Sequence, residues 1–436
     1  MMAKRTRITA IIAILFIFLT SACTSRGEPL LAHEPVEVEF WHAMSGDLEK
    51  TLQELTDEFN AQSAGVQVKL VNQGDYGSLN EKLTAAVKAK QLPTIAQTYF
   101  DWTEKFVQAD LVERLNDYMA EPQTGWNADE LQDIYPVFLN ENNWDGTFYS
   151  LPFNKSDQVL FYNKTMLDEA GLDVPATWEE WHSAAVKLTK EKPDGKGRII
   201  GTGFENAVMG EAFNYVLQGG GQFYDPQTGL ATFNTPEGAA GIGFVRGMLK
   251  DGIARLASED QFMSTPFGRG DVAMYVGSSA GISFVQSAVG GKFEWGTAAL
   301  PKGKRSVAFI QGTNITMFNG GTTERKQGAW NYMKFLLSTE NNARWAEQTG
   351  YLPIRKSVSE LDSYKQFVQQ HPEMSAGPAQ LEAEASLARI EHVDIAGPIL
   401  IEQMEAMLIG DMPVAEGLAA ADEAINAKLA TASSSR

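Results

Sequence analysis

Between residues 36 and 99 the spacing of apolar side chains switches repeatedly between two residues and about 3.6 residues. Val36-Glu37-Val38-Glu39-Phe40-Trp41 alternates as a strand does, and Leu48, Leu52, Leu55 and Phe59 then recur at helical spacing with Ser45 as the expected N-cap. Val66, Val68 and Leu70 alternate again, Leu79, Leu83 and Val87 mark a second helix, and Thr94 to Tyr99 is a short apolar run that reads as a third strand. Strands that alternate with helices pair in parallel through right-handed crossovers, so an α/β protein with a doubly wound lobe is expected.

The middle of the chain repeats this style. Val159-Leu160-Phe161-Tyr162 reads as a strand, and Thr165 to Ala170 as a short helix closed by Gly171. In Pro175-Ala176-Thr177-Trp178-Glu179-Glu180, Thr177 and Glu180 have the spacing of a capping box for a helix reaching Leu188. Further elements are expected from Val272 to Pro301 and Phe309 to Phe318, with a helix from Glu324 to Leu337. The C-terminal stretch places Ile401, Met404, Met407 and Leu408 on one helical face.

The first two dozen residues belong to a different class. Lys4, Arg5 and Arg7 precede an apolar run from Ile8 to Leu19, then small residues Thr20-Ser21-Ala22 and Cys23, the only cysteine of the 436 residues. This is the anatomy of an export signal, with residues 1–22 removed and a thiol at the cut site ready to carry a lipid. A diacylglyceryl group plus an acylated amino terminus holds a protein on a membrane firmly, which one chain does not. Thr20 stands where lipoprotein signals usually have leucine, so cleavage after Ala22 to give a freely secreted protein is the alternative. Residues 23–35 read as a polar tether. Without other cysteines the exported body has no disulfides, and a net charge of −19 argues against nucleic acid as partner. The five histidines show no pair at helical ligand spacing, so neither a metal nor another cofactor is expected.

From Glu39-Phe-Trp-His-Ala-Met-Ser-Gly46 onward the chain resembles a known family. Similar segments include Gln73-Gly74-Asp75-Tyr76, Leu151-Pro152-Phe153-Asn154, Leu160-Phe161-Tyr162-Asn163-Lys164, Pro175 to Trp181, Gly268 to Met274 and Thr349-Gly350-Tyr351-Leu352-Pro353-Ile354. In order and spacing they resemble the solute-binding proteins of carbohydrate-type ABC importers (family 1), most closely the glycerol-3-phosphate-binding branch. The resemblance implies a two-lobed type II periplasmic-binding-protein fold, α/β, with a cleft between lobes joined by hinge segments. It implies one lobe from residues 36–154 and 299–338, and another from 155–298 and 339–436. The ligand closes the lobes because it touches both only in the closed state. The partners implied are a small-molecule solute and ABC permease subunits in the membrane, with the receptor itself a monomer and not an enzyme.

By the same resemblance Tyr76, Ser156, Ser278, Gly312 and Tyr351 fall at ligand contacts. The chain departs from the branch at three places. Gln97-Thr98-Tyr99 leads into Phe100, with Asp101 one step later, where a carboxylate would follow directly. The phosphate-gripping arginine falls at Gly397, with Arg389 and His392 upstream. Only Phe204 remains of an expected tryptophan pair. A neutral sugar or polyol therefore fits as well as a glycerol phosphate. Trp41, Phe100, Trp102, Phe204 and Tyr275 offer stacking faces, and Asp101 a hydroxyl acceptor. Two rivals stay open: a receptor for a membrane sensor, and a secreted hydrolase. The latter is either a glycosidase with two carboxylates or an esterase using Ser279 of Gly277-Ser278-Ser279-Ala280-Gly281, with His371 or His392 downstream.

Overall fold

The computed structural model describes residues 35–193, 195–211, 213–225, 227–381, 386–387 and 393–433. Cys23, Arg389 and His392 lie outside them. Nine strands of one mixed sheet organise the molecule: β1 (Val36–His42), β2 (Val66–Asn72), β3 (Ile95–Thr98), β4 (Ser150–Asn163), β5 (Thr202–Phe204), β6 (Ala254–Leu256), β7 (Met274–Ser278), β8 (Trp295–Ala298) and β9 (Ala308–Met317). The order is β6-β5-β7-β4-β9-β3-β1-β2, with β8 also on β4 and Ser386–Leu387 on β9. β1 pairs in parallel with both β2 and β3, as alternating strands and helices require.

The long strands β4 and β9 run antiparallel and carry the sheet across the molecule. Ser150 to Pro152 face Thr316 to Asn314, beside β3; the register then shifts at Gly312, and from Gln158 onward β4 pairs with β7. One strand thus begins in the first half and ends in the second.

Each half has its own core. Val38 and Phe40 of β1, with Leu52, Leu55 and Phe59 of the helix Asp47–Gln62, pack with Ile315, Trp330 and Trp345. Trp181, Phe204, Tyr215, Met248 and Val276 form the second core, joined by Met404, Met407, Leu418 and Ile425 from the C-terminal helices. Packing crosses between the two halves at two places. Leu300 and Val307 pack in the second core, with Phe309 against it, whereas Trp345, Tyr351, Leu352 and Ile354 pack in the first. The reason is physical: Trp345 stacks on Phe153 with centroids 4.8 Å apart, and β9 changes halves within the strand.

Local expectations were met where short-range chemistry decides them. Thr177 and Glu180 form the capping box, and Gly171 closes the helix Lys164–Ala170 at φ 61°. Two differ. Gly46, not Ser45, caps the helix from Asp47, without a side-chain bond. Ile401 is 42 % exposed although Met404, Met407 and Leu408 on the same helix are buried. Among the described residues no helix is long and apolar enough to cross a membrane.

Candidate functional site

A cavity of about 610 Å³ opens between the two halves. Leu48, Tyr76 and Tyr351 line it from the first; Glu205, Glu211, Phe262, Tyr275, Ser278 and Phe284 line it from the second. This size suits a small polar solute. Among the described residues no group of three or more His, Cys, Asp or Glu is placed to hold a metal ion.

Tyr76 opens the helix Tyr76–Ala89, whose N-cap Asp75 accepts from the Ser78 amide at 2.7 Å, and Gly74 supplies the turn at φ 96°. The Tyr76 hydroxyl accepts from Asn154 Nδ2 at 3.0 Å and lies within hydrogen-bond reach of the Tyr351 hydroxyl. Asn154 sits on β4, and its Oδ1 accepts from Gln97 Nε2 at 3.0 Å and from Thr313 Oγ1. Tyr351 stacks on Trp345 at 5.8 Å, and the next amide, Leu352, donates to the Lys155 carbonyl at 2.7 Å. The two phenols are therefore held against the crossing strands. Burial pushes both above the ordinary phenol value, so they stay neutral donors and acceptors.

On the far wall Glu211 ends the helix Val208–Glu211. Its carboxylate accepts from Gln158 on β4 and, at 3.2 Å, from Gln311 on β9; Asn214 in turn donates to Gln158. Glu205 accepts the Met263 amide on both oxygens at 3.0 Å. Burial raises both carboxyls to about 7. Ser278 at the end of β7 accepts from the Ala280 amide at 3.3 Å, capping the short turn Ser279–Gly281.

Of the residues singled out from sequence, the structure brings Tyr76, Ser278, Tyr351 and Tyr275 to the cavity wall. The other described ones do not line it. Trp41 packs against the cluster around Leu79, Leu83 and Phe106. Phe100 is 6 % exposed and stacks on Trp144, centroids 5.3 Å apart, while Asp101 lies in the first turn of the helix Phe100–Gln108. Ser156 is buried on β4 opposite Gln311, and Phe204 packs in the second core against Trp181 and Tyr215. Gly312 sits at φ 116° where the two long strands meet, and a Cβ there would lie 2.0 Å from the Asn154 carbonyl. Gly397 lies inside the helix Val393–Leu408 and brings no cation. Glu205, Glu211, Leu48, Phe262 and Phe284 had no motif to announce them; Leu48 carried only a core-like helical spacing.

Residues 54–376 match the model of the bacterial extracellular solute-binding protein family. The chain belongs to that family. As a member it is a receptor for a small solute outside the cytoplasm. Its relatives include the sn-glycerol-3-phosphate-binding periplasmic protein UgpB of Shigella dysenteriae serotype 1, 27% identical over 359 residues, 79% of this chain and 80% of that one. UgpB of Escherichia coli strain K12 matches over the same shares at the same identity. Among solved structures, UgpB from Mycobacterium tuberculosis in complex with glycerophosphocholine superposes with a TM-score of 0.78 at 21% identity, covering 91% of this chain and 98% of that one. The cyclic α-maltosyl-1,6-maltose-binding protein of Arthrobacter globiformis gives 0.75 at 23%, covering 90% and 98%. These likenesses establish the two-lobed binding-protein fold.

The family frame also bears on the elbow-like segment Gly277 to Gly281. Ser279 is 2 % exposed, and its Oγ accepts from the Asp157 amide at 3.2 Å, which ties β4 to β7. His371 Nδ1 lies 3.3 Å from Glu373, its ring against Phe367. Neither residue lines the cavity.

Proposed function

We propose that the protein captures a small carbohydrate, polyol or glycerol-phosphate-type solute in this cavity and presents it to an ABC permease, without chemical turnover. The observation that carries this is the composition of the wall: Tyr76 and Tyr351 from one half face Glu205, Tyr275 and Ser278 from the other, across two shared strands. A solute reaching both walls favours the closed arrangement by as much as it gains from the second wall. Hydroxyls and carboxylates that accept and donate suit a polyhydroxylated ligand, and the apolar side chains suit its C–H faces. Trp41, Phe100, Asp101, Ser156, Phe204 and Gly312 belong to this proposal as supports or as contacts made on closure. A lipid on Cys23 would keep the receptor at the membrane surface, as a monomer.

The test is calorimetry with mono- and oligosaccharides, polyols, glycerol-3-phosphate and glycerophosphodiesters, paired with small-angle scattering. One-to-one binding with a smaller radius of gyration and an unchanged solute supports the receptor. Consumption of a sugar, ester or diester would replace it with the hydrolase reading. For the anchor, labelled palmitate should enter the wild-type protein and be absent from Cys23→Ser, which should appear in the medium.

A further inference from the structure

We propose that Gln97 and Asn154, which stand behind the cavity wall, are positioning residues: they set the direction of the hydrogen bonds to Tyr76 and Tyr351 and leave one phenol proton for the solute. The wall of the first half therefore donates a hydrogen bond to what it holds. This rests on the reading of the cavity as a solute site and adds the polarity of one wall.

The direction starts at a group that can only donate. The backbone amide of Ala43, just past β1, meets the side chain of Gln97 on β3 at 2.9 Å. A backbone N–H offers no lone pair, so the Gln97 atom facing it is the oxygen, and the nitrogen faces away. That nitrogen lies 3.0 Å from the Asn154 side chain, which must present its own oxygen there. The Thr313 hydroxyl donates to the same oxygen. The Asn154 nitrogen is thereby left for Tyr76, and it donates to the phenol oxygen at 3.0 Å. A flip of either amide would set two donors face to face, so each has one orientation.

The network is sealed. Gln97 and Thr313 are fully buried and Asn154 is 1 % exposed, so water does not compete for these bonds. Thr313 sits at the register shift between Gly312 and Asn314, where such an irregularity re-aims side chains.

Counting protons gives the consequence. Tyr76 and Tyr351 carry two hydroxyl protons between them, and burial keeps both phenols neutral. Asn154 takes neither proton, because it is the donor. The contact between the two hydroxyls uses one. The other remains, on whichever phenol, and both phenols line the cavity. With the Asn154 oxygen toward Tyr76 instead, that oxygen would use one proton and the hydroxyl pair the other, leaving none for a solute.

The test uses the whole exported chain. In neutron diffraction from deuterated crystals, the deuterium between Asn154 and Tyr76 should sit on the nitrogen, and one phenol deuterium should point into the cavity. A Tyr76 deuterium directed at Asn154, or no phenol deuterium in the cavity, overturns the proposal. The binding arm is calorimetry at pH 8 with maltose, glycerol and glycerol-3-phosphate, the first two uncharged so that repulsion plays no part. Asn154→Asp keeps the side-chain size and still accepts from Gln97 and Thr313, but its carboxylate accepts from Tyr76 instead of donating to it. It should weaken each probe that binds the wild type by about tenfold or more, about 1.4 kcal/mol. Gln97→Glu, which turns the Asn154 amide round, should do the same and serves if the first variant does not fold. A residue that only fills space would leave affinity untouched in these isosteric variants, so unchanged binding by either folded variant overturns the proposal. If no probe binds the wild type, the neutron map decides alone. The stated direction together with no one-to-one binding of any solute leaves the positioning standing and sinks the receptor reading.

Discussion

The Lys155 ammonium lies 2.5 Å from the Glu141 carboxylate, with both side chains sealed from water at 0 % and 4 % exposure. Lys155 is on β4 at the point where the strand passes between halves, and its Nζ also reaches the Gly312 carbonyl at 3.3 Å. Burial pulls the ammonium below its usual value, and Glu141 opposes that pull. Removing one partner leaves a charge without its counter-ion in a dry site. Glu141→Gln or Lys155→Met alone should lower the unfolding free energy by about 3–5 kcal/mol. The double variant should recover a large part of it. Urea unfolding of the three variants measures the coupling, and additive losses would show that the pair does not act as one unit.

Asp157, two residues further along β4, has the opposite problem. One oxygen accepts from Gln380 Nε2 at 2.8 Å, and the other has no hydrogen-bond partner among the described residues. Burial raises this carboxyl from 3.8 to about 7, with the nearby Ser279 hydroxyl and the Gln380 amide working against the rise. The folded protein therefore holds a proton that the unfolded chain has already released over that interval, and stability falls as pH rises through it. Asp157→Asn should be more stable than the wild type at pH 8 by about 2 kcal/mol, and close to it at pH 4. Comparing the two proteins isolates this group from Glu205 and Glu211, which titrate in the same direction. A difference that stays constant across this range would refute the assignment.

Gly312 is irreplaceable for a backbone reason. At φ 116° an L side chain is strained, and its Cβ would meet the Asn154 carbonyl oxygen at 2.0 Å, a backbone atom that cannot step aside. Gly312→Ala should cost about 3 kcal/mol or more and loosen the β4–β9 junction. Thermal unfolding, with hydrogen exchange at the Lys155 and Gln311 amides, reports both effects.

The two phenols at the cavity wall are expected to act through their hydroxyls. Tyr76→Phe and Tyr351→Phe should each weaken the solute found in the calorimetric panel by about tenfold, the scale of a lost hydrogen bond at a buried polar site. The rings would still pack, Tyr76 edge-on to Tyr99 at 5.2 Å and Tyr351 stacked on Trp345, so both variants should fold, with Tyr76→Phe melting a few degrees lower because Asn154 Nδ2 loses its acceptor. An unchanged affinity in both would remove them from the binding surface.

What local chemistry controls was legible in residue order. The alternation of Val38 and Phe40, the helical recurrence of Leu52, Leu55 and Phe59, the Thr177–Glu180 box and the Gly171 stop are decided within a few residues. The family segments carried Tyr76, Ser278 and Tyr351 to the cavity because each sits on a turn whose shape those segments encode. Phe204 and Phe100 show the limit. A strand's carboxyl end or a helix start places a residue near a cleft, but which side of the backbone turns inward depends on neighbours such as Trp181 and Trp144.

The order of residues by itself determined an α/β chain and the turns that hold two tyrosines. Only the tertiary structure decided which distant groups share the cavity. Glu211 is 53 residues from Gln158 and 100 from Gln311, and it meets both because β4 and β9 lie side by side where the two halves join. Contacts at such separations arise when the sheet assembles, so the carboxylate wall opposite Tyr76 and Tyr351 has no counterpart in any short stretch of sequence.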